Sequence, residues 1–113
     1  MLRRLILEKP YMNAPLALLN DPTLLKTDAL INGQWVKGAS RFDVHDPATG
    51  AKLADVANLT AQDAEAALDA ANAAWPAWRN KTGKERSIIL RKWFDLLMAN
   101  QEDLGRIMTA EQG

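Results

Sequence analysis

At residue 56 the hydrophobic period of this chain changes, and that change limits what it can fold into. Before it, Phe42 and Val44 alternate with Asp43 and His45, the period-two pattern of a strand with one buried and one wetter face. After it, Ala64, Ala67, Leu68, Ala71, Ala74 and Trp75 recur at three- and four-residue intervals, the stripe of an amphipathic helix. Strands followed by helices predict an α+β fragment. Its expected plan is an N-terminal β-hairpin, or three short strands, followed by two to three helices.

Turn and cap residues punctuate this plan. Asn32-Gly33 lies between short apolar runs, a strong hairpin signal because both residues tolerate the positive φ angles of a type I′ turn. Asp46-Pro47-Ala48-Thr49-Gly50 reads as a second turn, joining two further strands. Thr60 with Asp63, and Thr82 with Glu85, have capping-box spacing. The second box opens a helix running to about Ala99, with Ile89, Leu90, Trp93, Leu96 and Leu97 on its inner face and Arg91, Lys92 and Asp95 outside. Pro76 should end or kink the first helix, since it lacks a donor and its ring crowds the carbonyl four residues back. Asn100 with Asp103 resembles another cap, before a third helix carrying Leu104, Ile107 and Met108. Residues 1–29, with Pro10, Pro15 and Pro22, read as an irregular arm in which Asp21 and Pro22 can start one helical turn.

Composition excludes several functions. Fourteen basic and fourteen acidic residues give zero formal net charge, so nucleic acid and anionic membranes gain little from the global field. The chain has no cysteine, which removes disulfides, thiolate metal sites and a cysteine nucleophile. Its single histidine, His45, leaves a histidine metal cluster or a Ser-His-Asp triad hard to assemble. No segment reaches the ~20 apolar residues of a membrane span. The N-terminal apolar run, Leu5 to Leu7, ends at Glu8, Lys9 and Pro10, too short for a secretory signal. A cytoplasmic location is therefore expected, with Met12 as a second plausible start.

Local motifs are equally plain. Arg79, Lys81, Lys84, Arg86, Arg91 and Lys92 stand against the single acid Glu85 between Trp78 and Trp93, but such runs usually coat a solvated helix face rather than bind nucleic acid. A lone histidine beside a turn is more often structural than catalytic. Asp43, Asp46 and Asp55 lack the spacing of a calcium loop, and Gly33, Gly38, Gly50 and Gly83 form neither phosphate-binding glycine motif. The residues present no complete catalytic constellation.

Four stretches in order, "INGQWV", "DPATGAKLADV", "AAWPAWRNKTGKERSIILRKWFDLL" and "MTAEQG", together resemble the N-terminus of the aldehyde dehydrogenase superfamily. "DPTLL", "AWPAWRNKTGKERS" and "RIMTAEQG" most resemble its succinate-semialdehyde type. The resemblance implies a homo-oligomer of several hundred residues per chain that oxidises an aldehyde with NAD or NADP, through a cysteine thioester released by glutamate-activated water. It implies that residues 30–113 begin a Rossmann-like α/β cofactor domain, here incomplete. Catalytic and cofactor-binding residues fall in later family sequence, so none is assigned here and these 113 residues alone are expected to be inactive. "MTAEQG" accordingly reads as an interruption, since relatives continue from this glycine.

The resemblance also carries over a monovalent-cation site formed by the backbone carbonyls of Val44 and His45 and the carboxylate of Glu111. Cation-binding relatives have the shorter Asp at the last position. A different reading of the same residues is a non-catalytic helical interaction module, or a truncated relic, presenting its tryptophan-bearing face to a protein partner.

Overall fold

The computed structural model describes residues 15–113; the apolar run and arginine pair near the N-terminus, and Met12, lie outside them. The described part of the arm holds two single 3-10 turns, Pro15–Leu18 and Pro22–Leu24. Asp21 caps the second as its spacing predicts, accepting from the Thr23 amide at 2.9 Å and from the Thr23 hydroxyl at 2.6 Å. Pro22 follows at a position where its missing N–H costs nothing.

Four strands follow, one more than the three-strand version of the plan. They form two separate antiparallel hairpins: β1 (Ala29–Ile31) with β2 (Gln34–Val36), and β3 (Ser40–His45) with β4 (Lys52–Asn58). Asn32 at φ 49° and Gly33 at φ 73° supply the two left-handed residues of the first turn. In the second hairpin the register runs from Ser40 opposite Asn58 to His45 opposite Lys52, with a slip between Val44 and His45.

The helices are α1 (Ala61–Arg79), α2 (Gly83–Ala99) and α3 (Gln101–Gln112). Both predicted capping boxes form in full: each threonine hydroxyl accepts from the amide three residues on, and each carboxylate accepts from the threonine amide. Pro76, however, does not end α1. The helix continues to Arg79, and the Asn80 amide still donates to the Pro76 carbonyl at 3.2 Å. A proline in the last turn removes one ladder bond, and the remaining bonds carry the helix three residues further.

The Asn100 reading needs correction. Asn100 makes no side-chain cap to α3. Its side-chain amide instead donates back to the Leu96 carbonyl at 2.9 Å, closing α2.

The predicted inner face of α2 is uncovered. Ile89, Leu90, Trp93, Leu96 and Leu97 are between 43% and 64% exposed. Among the described residues only Leu19 and Ala110 are buried apolar side chains. The radius of gyration, 19.6 Å, compares with about 13 Å for a compact domain of this length. The chain is extended; among the described residues the apolar stripe of α1 meets the first hairpin, and that of α2 stays largely uncovered.

Candidate functional site

Where the arm meets α3, the chain builds a buried polar cluster. Asp103 sits there, 4% exposed, on the first turn of α3. One carboxylate oxygen accepts from the Asn20 amide at 3.0 Å and from the Asn20 side chain at 3.1 Å. The other accepts from the Asp21 amide at 2.8 Å. Arg106, one turn on, donates to the first oxygen at 2.8 Å. These bonds favour the ionised form, so the two backbone amides, assisted by Arg106, hold the Asp103 carboxyl below the usual aspartate range despite the opposing effect of desolvation. The spacing to Asn100 had pointed to a local cap. The partner lies 83 residues away, a contact that no local pattern reveals.

The other end of the arm is tied down by Arg41. Its guanidinium donates to Asp28 at 2.7 Å, to the carboxylate of Asp55, and to the carbonyls of Thr27 and Asp55 at 3.2 Å and 3.0 Å. Hydrogen bonds to Asp28 and then Asp55 raise its pKa above the ordinary arginine value, so the cation is permanent. The planar fork suits this job, since it binds two carboxylates and, counting that of Lys37, three carbonyls at once. The Ala57 amide adds a bond to the Thr27 carbonyl at 2.8 Å. Beside this network Lys52 pairs with Asp43 at 2.8 Å, which lowers the Asp43 pKa.

Between these anchors lies a cavity of about 20 Å³, walled by Leu16, Leu25, Val44, Leu53, Val56 and Ile107, with Glu111 also at its edge. The structure thus brings Val44 and Glu111 to one place, although they are far apart in sequence. His45 does not line this cavity; it is exposed, on the far side of the register slip. Asp46, only 8% exposed, organises the adjoining turn by accepting from the Ala48 amide at 2.7 Å and the Thr49 amide at 3.3 Å. The C-terminal end of α3 rests on that turn. A Cβ at Gly113, where φ is 87°, would stand 2.9 Å from the Pro47 ring, so glycine is required there on two counts.

The chemistry of this cluster is that of an anchor. Its charged groups bind each other and backbone amides, and the chain holds no cysteine to serve as a thiolate. Among the described residues, no three His, Cys, Asp or Glu side chains group as a metal site. No helix among them is long and apolar enough to cross a membrane.

The sequence pattern of the aldehyde dehydrogenase family matches residues 35–113, most of the chain and all three helices. The chain belongs to the aldehyde dehydrogenase family. Among its relatives, the NADP-dependent succinate-semialdehyde dehydrogenase of Escherichia coli (strain K12) is 52% identical over 97 residues, covering 84% of this chain and 20% of the relative. The 3-sulfolactaldehyde dehydrogenase of Pseudomonas putida is 48% identical over 97 residues, again 20% of its length. The crystal structure of succinate-semialdehyde dehydrogenase from Burkholderia pseudomallei superimposes with a TM-score of 0.82 at 48% identity, covering 85% of this chain and 20% of that one. The chain therefore spans about one fifth of the aldehyde dehydrogenases it matches. Its hairpins and helices are the N-terminal α+β portion of that family fold.

Proposed function

We propose that these residues form the N-terminal portion of an NAD(P)-dependent aldehyde dehydrogenase that oxidises succinate semialdehyde to succinate. The observation that carries this reading is the 52% identity to the Escherichia coli NADP-dependent succinate-semialdehyde dehydrogenase, sustained across 84% of the chain. In this reading residues 30–113 open the cofactor-binding domain of a cytoplasmic homo-oligomer. The thiolate nucleophile, the glutamate that activates water and the dinucleotide contacts come from sequence beyond these residues. The part described here holds the arm, the second hairpin and α3 in register. The exposed stripes of α1 and α2 support the same reading, since a piece of a larger domain leaves uncovered the faces that its remainder would bury.

The test is the reduction of NADP+ or NAD+ by the full-length protein, with succinate semialdehyde compared against 3-sulfolactaldehyde and short alkyl aldehydes. A kcat/KM highest for succinate semialdehyde supports the proposal. A preference for 3-sulfolactaldehyde would reassign the substrate while keeping the family chemistry.

The relatives include that second specificity at 48% identity, and an anionic group at the end of a short aldehyde is common to both substrates. The interaction-module reading also draws on the exposed Trp75 and Trp93. It gains over the enzyme reading only if the full-length protein oxidises no aldehyde.

We also propose that the backbone carbonyls of Val44 and His45 and the carboxylate of Glu111 hold a monovalent cation. Support comes from the shared cavity of Val44 and Glu111 and from the slip at Val44 and His45, which disturbs the regular ladder at the two carbonyls concerned. Oxygen donors suit a hard cation. Thermal stability of the full-length protein should then rise with sodium or potassium over a bulky organic cation, and Glu111→Ala should remove that difference. Indifference of the unsubstituted protein to the cation would refute the site.

A further inference from the structure

The tip of the first hairpin has a chemistry of its own. Of the seven asparagines at positions 13, 20, 32, 58, 72, 80 and 100, only Asn32 is followed by glycine. Both tip residues are exposed, and nothing lies within 4 Å of where a Gly33 Cβ would be. The flanking strands are only three residues each, and among the described residues they pair only with each other. A two-stranded ribbon of that length is marginal in water and opens locally at little cost. In a two-residue turn the second central amide belongs to neither ladder, so the Gly33 N–H is left for other chemistry.

We propose that Asn32-Gly33 is a spontaneous deamidation and isoaspartate-forming site. The Gly33 backbone nitrogen, losing its proton to solvent base, attacks the Asn32 side-chain carbonyl carbon. A carbon–nitrogen bond forms, the bond to the side-chain amide nitrogen breaks, and ammonia leaves. Water then opens the resulting five-membered imide at either carbonyl, giving aspartate or isoaspartate; nothing is oxidised or reduced. Glycine favours the attack because no Cβ shields its nitrogen. The closed type I′ turn, with Asn32 at φ 49°, holds the two groups away from the attack geometry, so reaction runs through the opened hairpin.

The two products part in structure. Aspartate still tolerates the left-handed conformation and keeps the turn. Isoaspartate adds a methylene to the main chain, which a two-residue loop cannot accommodate, so Leu30 and Trp35 lose their register. The tip also borders a groove shared with Ala67, Ala70, Ala71 and Ala74 of α1. Either product therefore places a carboxylate beside an alanine face.

The test is peptide mass spectrometry of the purified protein, aged at mildly alkaline pH, with isoaspartate identified by enzymatic methylation. Conversion at Asn32 is expected at least about tenfold faster than at Asn72, inside α1, or at Asn80, a difference of about 1.4 kcal/mol in barrier. Asn32→Gly keeps a turn-competent pair and should abolish both the amide-to-acid mass increment and the methylation of that peptide. Conversion at Asn32 no faster than at Asn72 and Asn80 would overturn the proposal. Methylation of the same peptide persisting in Asn32→Gly would do so too.

Discussion

Replacing Asp103 with alanine should free the arm from α3. Amide hydrogen exchange at Asn20 and Asp21 is expected to accelerate by at least about tenfold, the scale of losing one charge-assisted bond per amide. The helices themselves should keep their protection, because both capping boxes lie elsewhere. Asp103→Asn is the sharper probe. It keeps one acceptor oxygen and puts an amide nitrogen where the other stood, so one of the two backbone amides should lose protection while the other retains it. Equal protection in all three proteins would show that Asp103 does not anchor the arm.

The same anchor has a defined pH dependence. Its folded pKa lies below the unfolded value, so its contribution is fully present above the ordinary aspartate range. It is lost as pH falls below about 4 and through the folded value. Acidification should therefore expose Asn20 and Asp21 to exchange before it disturbs α2, and raising the pH from neutrality should change nothing at this contact.

The second large effect concerns activity. A preparation of these 113 residues alone should reduce neither NAD+ nor NADP+ with any aldehyde, whereas the proposed full-length dehydrogenase should do so readily. Acyl transfer through a thioester needs a thiolate, and loss of an enzyme's nucleophile costs on the order of a million-fold in kcat. This chain has no cysteine at all. Coupled spectrophotometry at high protein concentration is the measurement. Turnover above the buffer rate that tracks the pure chain through gel filtration would refute the assignment of the chemistry to later sequence.

What the sequence made legible was local. Asn32-Gly33, Thr60 with Asp63, and Thr82 with Glu85 each act within four residues, and each forms the turn or cap its spacing predicts. Arg91 pairs with Asp95 at 3.2 Å for the same reason. Pro76 does not end α1, because a proline's penalty depends on how much helix must follow it, and here only three residues do. Asp103 is not legible locally, because an acid in a helix's first turn fits a cap, while the backbone amides it binds come from the far end of the chain. The stripe on α2 was correctly identified as apolar. Whether a stripe is covered depends on what packs against it, which periodicity cannot express.

The bond between Asp103 and the Asn20–Asp21 segment also sets an order in time. Chains are made from the N-terminus, and domains generally fold in that direction during synthesis. The arm leaves the ribosome before either hairpin, yet its anchor on α3 emerges more than eighty residues later. Until then the hairpins and α1 can form, and Arg41 can hold the arm at Thr27 and Asp28, while its Asn20–Asp21 end has nothing to bind. The Asn20–Asp21 segment is thus secured after the hairpins and helices made behind it, and a pause in translation before Asp103 would leave that segment open to proteases while α1 and α2 are already wound.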